Sequence, residues 1–567
     1  AGAGAGATSG SITGNIQNFG TLTFNRSDNS SYPGIISGSG ALVKSGAGEQ
    51  TLTGLHTFTG TTTINAGKLI ISRDVPAFSS SSISGAGELV LQPTSASFTN
   101  AVIYPISGIN IASIGGLTLG KSGNAANITI STATSINGPI TLYGGTLNLN
   151  ANLTTTSSNS TASNISLNGS TISGTPTLTL STGSTLTMNL SSNNNFGGTI
   201  VGNSLGFVKD GAGLLTLPTP TTPTSYSFVD FAINAGTFQL NANQELTLSN
   251  SLSNSGTFTL KDGATFIPSA TVNNISGTGT FNVEKQLTGN TGSWTNTNGR
   301  FWYMGVPMVS VARNNYGTYG ASTNRLWSYS ESTKSYTELT DGSALLSAGT
   351  GYVHRRDTDG TLTFSANGAN GLYRTDFTAS NLSKTAGNTA GVHLISNPYM
   401  AYLDWHAIYT ASTNIDPTFY VRTTNTSSNN ISAIISYNAS TTLSTNNSSV
   451  TATASQLRYI APMQSIWVRV LGNAGATGTV NMTRGMLSHQ SGNVGLKSST
   501  IFPTLARVNL VDGNNFDQLL VYFNSDMSNE VDEYDSEKMS ASGTAQIYTM
   551  SSNKKLVMNG LRNNKKK

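Results

Sequence analysis

GSGALVKSGAGEQTLTGLHTFTGTTTINAGKLII, residues 38–71, contains two short motifs that return later in the chain. The first motif is K-x-G-A-G at 44–48, and the second is I-N-A-G at 64–67. They return in the same order at 209–213 and 233–236, again with a short Leu/Thr strand and a polar turn between them. The spacing from the lysine to the last glycine is 23 residues in one copy and 27 in the other. Two ordered matches of this kind indicate an internal repeat.

Apolar residues alternate with Thr, Ser and Asn around these motifs, as in Thr21-Leu22-Thr23-Phe24 and Ile128-Thr129-Ile130. Period-two alternation with β-branched residues is typical of half-buried strands. Gly and Asn punctuate the strands, and they suit corners that need positive φ. Helical periodicity is almost absent. The pattern predicts an all-β protein whose N-terminal part is a parallel β-solenoid (β-helix), with each rung pairing with the rungs above and below.

Composition excludes several classes of protein. Charged residues make up 10% of the 567, where about 25% is usual, and stacked rungs favour few charges because equivalent positions lie about 4.8 Å apart. The absence of Cys excludes disulfides and Cys-ligated metals. No apolar run approaches about 18 residues, so no transmembrane segment is expected. The net charge of +4 is thinly spread and includes three terminal lysines, so nucleic acid is not an expected partner.

The two halves of the chain differ in composition. All five Trp lie at or beyond 294, and only 15 of the 54 charged residues precede position 281. We predict a flexible or donor-strand arm over 1–10, a solenoid over 11–285, and one or two β-sandwich domains over 286–567, divided near 385–390 if there are two. Trp405 and Trp467 are expected to fill sandwich cores, since a Trp indole is large and needs a partner for its N–H. His354, next to two arginines, is expected to be solvated.

Residues 38–71 resemble the autotransporter-associated β-strand repeat of bacterial surface proteins, through their L-x-K-x-G-x-G start and N-A-G exit. Residues 135–157, SINGPITLYGGTLNLNANLTTTS, resemble a filamentous-haemagglutinin rung. The segments GTGYV at 349–353, HLISNPY at 393–399 and IAPMQSIWV at 460–468 resemble motifs of large Bacteroidetes surface proteins. The resemblance implies an adhesin that is exported by the type IX route to the cell surface or the medium. Proteins of this group normally continue into a C-terminal sorting domain, and the present sequence is expected to contain none.

No residue is predicted to be catalytic, and no cofactor is expected. Residues 202–206 fit G-x-S-x-G, but no helix pattern follows, as a nucleophile elbow would require. The five histidines form no metal-ligand pair. Carboxylates of the first half are scattered, whereas glycosidases need a facing pair.

The sequence offers candidate residues for two kinds of binding site. Calcium, which prefers six to eight oxygen ligands, has candidate ligands in two acidic stretches: Asp357 and Asp359, and Asp526, Glu530, Asp532 and Asp535. A tight Asp-Gly turn and a solvated acidic loop are the alternatives. An aromatic group soon after the solenoid is a candidate for stacking on sugar rings, with a core role as the alternative: Trp294, Trp302, Tyr303 and Trp327.

These observations predict an extracellular, non-enzymatic surface protein. It would be either a structural subunit of a fibre or surface layer or a stalk-like adhesin. A β-helix protein that binds or cleaves glycans is the alternative. The expected partners are further copies of the chain or other cell-surface proteins and glycans.

Overall fold

Parallel strands stacked in about twelve turns form a β-solenoid over residues 16–283, and further sheets follow it. The predicted all-β fold is therefore confirmed. The computed structural model describes residues 12–156, 163–270, 275–289, 300–320, 324–387, 390–424, 432–445, 457–489, 505–512, 515–524, 527–539 and 545–562. The predicted arm over 1–10 lies outside the described residues.

The chain divides into two units, each described by itself below. Unit 1 comprises residues 1–220, 226–241 and 248–258, and unit 2 comprises 221–225, 242–247 and 259–567. No helix among the described residues is long and apolar enough to cross a membrane.

The longest sheet of unit 1 carries one strand from each successive turn. In stacking order its strands are Ser30–Tyr32, Glu49–Leu52, Lys68–Ser72, Glu88–Gln92, Gly116–Leu119, Ile140–Tyr143, Ile165–Gly169, Thr185–Leu190, Gly206–Asp210 and Thr224–Ile233. The remaining strands are Ile16–Gln17, Thr21–Phe24, Ile36–Ser37, Ala41–Lys44, Thr62–Ile64, Ser80–Ser84, Val102–Tyr104, Ile109–Ser113, Ile128–Ile130, Thr134–Ile136, Thr146–Leu149, Leu153–Thr155, Thr171–Ser173, Thr177–Thr179, Asn194–Asn195, Thr199–Val201, Leu214–Thr216 and Thr237–Leu240. Three strands contain residues of both units: Thr224–Ile233, Gln244–Asn254 and Thr257–Leu260.

In-register pairing lines up the inward side chains of successive turns. Leu89 pairs with Leu69 on one side and Leu117 on the other, and all three are buried. The same column continues with Ile140, Ile165, Leu186, Phe207 and Phe231. Because the side-chain period of a strand is two, the intervening Thr, Ser and Asn point away from this core.

The lysine of each repeat occupies an inward, core position. Lys209 lies between Met188 and Ile233, in the column beside the one that contains Phe207. Its side chain is buried. Its Nζ donates to the backbone carbonyls of Asp210 at 2.9 Å, Gly211 at 2.7 Å and Ala235 at 3.0 Å. An ammonium has three protons, so these carbonyls satisfy the buried group completely. Burial nevertheless lowers the pKa of Lys209 to about 8.

The first copy is built in the same way. Lys44 is buried between Phe24 and Ile64, and its Nζ donates to the carbonyls of Gly46 and Ala66. In both copies one acceptor is the alanine of the I-N-A-G motif one turn further on. The two motifs of the repeat are thus the donor and acceptor sides of one contact between neighbouring turns.

The last glycine of I-N-A-G has a conformation that other residues rarely adopt. Gly67 and Gly236 both have φ +65°. A Cβ at Gly67 would overlap the carbonyl oxygen of Gly48, and one at Gly236 would overlap that of Gly213. Because backbone rests on backbone at this corner, glycine is required there.

Unit 2 is built mainly from antiparallel sheets. Thr280–Leu287, at the end of the solenoid, pairs antiparallel with Gly360–Asn367. Sheet A consists of Arg300–Met304, Tyr352–Arg356, Arg325–Ser330 and Ser335–Glu338; sheet B of Val392–Ser396, Ser465–Arg469, Thr418–Thr424, Ser432–Asn438 and Leu443–Ser444; and sheet C of Leu505–Asp512, Asn515–Asn524, Lys554–Arg562, Ser536–Glu537 and Thr549–Ser551. Shorter strands are Thr265–Ile267, Ile275–Ser276, Ser310–Ala312, Leu345–Ser347, Phe377–Ser383, Tyr402–Asp404, Tyr459–Ile460, Thr477–Met482 and Leu487–Ser488. An α-helix covers Trp405–Ala411, and 3-10 turns cover Arg313–Tyr316, Gly368–Asn370 and Arg484–Met486.

The two tryptophans expected in cores are buried. Trp405 is fully enclosed in the largest cluster of unit 2, and its Nε1 donates to the carbonyl of Pro417 at 2.7 Å. Trp467 packs with Val353, Val392 and Tyr420 between sheets A and B. Their predicted core role is confirmed.

The expectation that His354 is solvated is wrong. His354 lies inside strand Tyr352–Arg356, on the face of sheet A that carries Leu326, and it is fully buried. Strand alternation, and not the neighbouring arginines, decides the side to which this ring points. Its Nδ1 lies 3.2 Å from the carbonyl of Arg325, and its Nε2 has no hydrogen-bond partner among the described residues.

Replacing Lys209 by Met should destabilise the protein by about 1–3 kcal/mol, because buried carbonyls then lose their donor while the apolar stem is kept. Denaturant-induced unfolding of the full chain measures this effect. Lys68→Met, at a half-exposed lysine of the same solenoid, is the control and should cost much less. Equal losses for the two variants would contradict the role of the buried ammonium.

Acid should weaken both units through one buried histidine each. Burial lowers the pKa of His56 to about 4 and that of His354 to about 3. In the unfolded chain these histidines bind a proton once the pH falls below about 6.5. In the folded chain they bind it only near their lowered pKa values, about 4 for His56 and about 3 for His354. The free energy of unfolding therefore keeps the full contribution of both neutral histidines above pH 6.5. It decreases as the pH falls from there to about 3, by up to about 1.4 kcal/mol per pH unit for each histidine.

His354→Asn keeps a donor for the Arg325 carbonyl and removes the titrating ring. Unfolding curves recorded at pH 7, 5 and 4 should show a shallower acid loss for this variant than for the native chain. An unchanged pH slope would show that His354 is not responsible.

Candidate ligand-binding cavity

A cavity of about 650 Å³ lies in unit 2, where residues of sheets A, B and C meet. This volume lies within the range of small-ligand pockets, roughly 300–1,000 Å³. Aromatic and cationic side chains dominate the lining: Tyr303, Tyr329, Tyr336 and Trp467, with Lys384, Arg422, Arg469, Lys538, Lys554 and Lys555.

The pleat of sheet A places its tyrosines on the cavity side. Tyr303 pairs with Val353, which pairs with Trp327, so these three residues share one face. Tyr329 is two residues beyond Trp327 and pairs with Tyr336 on the next strand. Residues at i and i+2 point to the same face, and the tyrosines therefore converge.

The aromatic rings pack edge to face. The ring centre of Tyr329 lies 4.8 Å from that of Trp467, at an interplanar angle of 84°. It lies 5.3 Å from the ring centre of Tyr336, at an angle of 64°. Tyr336 lies 6.4 Å from Trp467 at 86°. Such tilted pairs are favourable arrangements for aromatic quadrupoles. Trp467 is 6% exposed whereas Tyr336 is 46% exposed, so Tyr336 presents the most accessible ring of the four.

Among the described residues, six cationic side chains and one carboxylate line the cavity. That carboxylate, Glu537, pairs with Arg469 and with Lys554, the latter at 2.5 Å. Lys538 pairs with Asp517, and Arg422 donates to the Tyr303 hydroxyl at 2.7 Å. The lining therefore carries a strong excess of positive charge.

Lys384 is one of the cavity's cations that have no carboxylate partner at ion-pair distance among the described residues. Burial together with Arg469 and Lys554 lowers its pKa, against the opposing effect of Glu537. A half-buried cation held beside other cations favours an incoming anion.

The described lining of the cavity does not contain the carboxylate pair of a glycosidase. Glu537 is the only carboxylate among its described lining residues, and two cations hold it. Hydrolysis of a glycoside uses two facing carboxylates. Ser204, in the G-x-S-x-G sequence, lies in a turn between strands Thr199–Val201 and Gly206–Asp210, without the helix that a nucleophile elbow requires.

The structure separates the aromatic residues that the sequence groups together. Trp302 pairs with His354 on one face of sheet A, and Trp327 pairs with Val353 on the other. The Arg325 guanidinium also packs over the Trp327 ring, with its central carbon 5.0 Å from the ring centre. Tyr303 lines the cavity, Trp302 and Trp327 do not, and Trp294 lies outside the described residues. Stacking of sugars on the tryptophans stays a prediction.

The cavity also contains four residues that no sequence pattern singled out: Tyr329, Tyr336, Lys384 and Arg422. A signal for the tyrosines was present in RLWSYS at 325–330, where aromatic residues alternate with serine. The sequences around Lys384 and Arg422 contain no recognisable motif, and no regular spacing relates the two residues.

The calcium candidates are engaged within the protein. Asp357 pairs with Arg355, and Asp359 accepts from the Gly289 N–H at 2.8 Å. Asp535 accepts from the N–H groups of Asp532 and Gly560, and burial raises its pKa to about 6.

The other members of the acidic stretch are also engaged where they are described. Asp532 accepts from the N–H groups of Ser528 and Tyr534, and Glu530 accepts from the Ser552 hydroxyl. Asp526 lies outside the described residues. In the part of the chain that the structure describes, no three His, Asp or Glu side chains are grouped to hold a metal ion.

Treatment with EDTA should accordingly leave the melting temperature of the full chain unchanged, because the described carboxylates already have protein partners. Differential scanning fluorimetry with and without added CaCl₂ measures this. A calcium-dependent rise of several degrees would restore the calcium hypothesis.

Comparison with known families gives two matches. Residues 42–71, the first copy of the repeat, match the passenger-associated-transport-repeat. Together with the solenoid, this match supports an extracellular, autotransporter-passenger-like repeat protein. Export by the type IX route and an origin in Bacteroidetes stay predictions. No curated protein and no solved structure matches the chain. Residues 221–566, which include the whole cavity, match a domain of unknown function, and the chain therefore belongs to the DUF8693 family.

Proposed function

We propose that the chain is a non-enzymatic surface adhesin in which the solenoid is a stiff spacer and the DUF8693 region carries the binding site. The observation that carries this proposal is the cavity between sheets A, B and C. It combines exposed aromatic surface with an excess of cations, and the one carboxylate among its described lining residues is held in ion pairs. Such a lining suits recognition of a ligand, and its described residues do not include the second carboxylate that hydrolysis of a glycoside uses.

The construction of unit 1 supports the spacer role. Strands within the stack are hydrogen-bonded on both edges, and each turn contributes about 4.8 Å of rise. A stack in which every turn contacts only its neighbours lengthens by adding turns. The passenger-associated repeat also agrees with a part that is presented outside the cell.

A structural subunit is the second candidate, and the first described turn of the solenoid favours it. Among the described residues, strands Ile16–Gln17, Thr21–Phe24 and Ser30–Tyr32 each pair on one side only. Phe19, between the first two, is 70% exposed. An unpaired strand edge beside an exposed aromatic ring is a template for joining a second copy.

Light scattering of the full chain separates the two candidates. An adhesin should remain a monomer of 58.9 kDa, and the fluorescently labelled chain should bind saturably to a glycan array. Long polymers seen by scattering and negative-stain imaging, without glycan binding, would overturn the adhesin proposal.

The Phe19→Asp variant then shows whether any polymer grows through the first turn. It should dissolve such polymers, since a charge at the edge opposes association. Val75→Asp, at another exposed apolar residue of unit 1, is the matched control and should leave them intact.

A further inference from the structure

We propose that the cavity of unit 2 binds an anionic saccharide, a short segment of an acidic polysaccharide whose sugars carry carboxylate or sulfate groups. This inference rests on the proposed adhesin function and specifies the class of its ligand. The carrying observation is the juxtaposition of Tyr336 with Lys384 and Arg422 around one depression.

The charges favour an anionic ligand. Of the six cations, Lys384 and Lys555 form no ion pair among the described residues, and Lys555 lies 4.5 Å from the ring centre of Tyr548. Two further cations share the single carboxylate of Glu537. Clefts lined by one sign of charge concentrate ligands of the opposite sign. A carboxylate or sulfate would provide acceptor oxygens for the ammonium groups of Lys384 and Lys555.

The aromatic rings favour a sugar as the carrier of that charge. Tyr336 is half exposed at the cavity, and a pyranose ring can place its C–H face on such a ring. Tyr303, Tyr329 and Tyr336 add hydroxyl groups, of which that of Tyr303 already accepts from Arg422. A tyrosine hydroxyl can both donate to and accept from the hydroxyls of a saccharide.

The same geometry disfavours single-stranded nucleic acid. Successive bases stack on a series of open aromatic faces along a groove. Here the rings pack edge to face against one another, at interplanar angles of 64° to 86°. Their faces are largely occupied, and the most accessible ring belongs to one residue, Tyr336.

The test uses isothermal titration calorimetry of the full chain with four probes. These are a heparin-derived tetrasaccharide, a tetragalacturonate, the neutral cellotetraose and an oligothymidylate. At least one of the two acidic saccharides should bind with one site per chain, at least about tenfold more tightly than cellotetraose, since a charged hydrogen bond contributes about that much. Raising NaCl from about 0.05 to about 0.5 M should weaken this binding.

Variants locate the site. Lys384→Gln and Tyr336→Ala should each lower the affinity about tenfold or more, whereas Lys384→Arg, which keeps the charge, should restore it. Lys334→Gln and Tyr143→Ala remove the same groups at positions that do not line the cavity, and they should bind as the native chain does. Thermal melting confirms that each variant is folded.

Each other outcome overturns the inference in a recognisable way. Equal binding of cellotetraose would show a neutral sugar site and would leave the adhesin proposal standing. Tighter binding of the oligothymidylate would replace the ligand class. A monomeric chain that binds other surface components but none of the saccharides would overturn the acidic ligand and leave the adhesin proposal standing. Polymer formation without any binding would overturn the adhesin proposal itself.

Discussion

The contact between a K-x-G-A-G corner and the I-N-A-G corner of the next turn is the constraint on which the repeats depend. Backbone lies directly on backbone at Gly67 and Gly236, and the space left there does not admit a Cβ. Below the same corner a lysine donates to carbonyls of both turns. The glycine permits the close approach, and the lysine satisfies the carbonyl groups that this approach buries. Each motif has a use only when the other stands one turn away, which explains why they recur as an ordered pair.

This constraint also accounts for the position of a charged residue inside an apolar column. An isolated buried ammonium would be strongly disfavoured in such a core. Lys209 is tolerated between Met188 and Ile233 because three backbone carbonyls accept hydrogen bonds from its ammonium group. The same carbonyls would be orphaned if the lysine were replaced by an aliphatic residue. The repeat is therefore held together by a mutual requirement of donor and acceptors, in addition to the packing of the buried apolar columns.

The solenoid could be predicted from the sequence because its signals are local. Alternation of period two and glycine at corners lie within single turns, and in-register stacking follows from repeating them. The cavity could not be predicted in this way, since Tyr336, Arg422 and Trp467 come from strands far apart in the chain and meet only through sheet packing. The aromatic group at 302–327 shows the same limit. Its members are close in sequence, yet strand pairing places Trp302 and Trp327 on opposite faces of sheet A.

The two kinds of architecture also explain where the charges lie. In a stack of parallel turns, a charge at an outward position is repeated about 4.8 Å away whenever the next turn carries the same residue type, and like charges at that distance repel. A region built from differing antiparallel strands has no such repetition, so cations can gather at one place if other interactions hold them. Glu537 and Asp517 hold three of the six in the cavity, and the residual positive charge is then free to serve recognition. A regular solenoid and a charged binding cavity place opposite demands on sequence, and in this chain they occupy different regions.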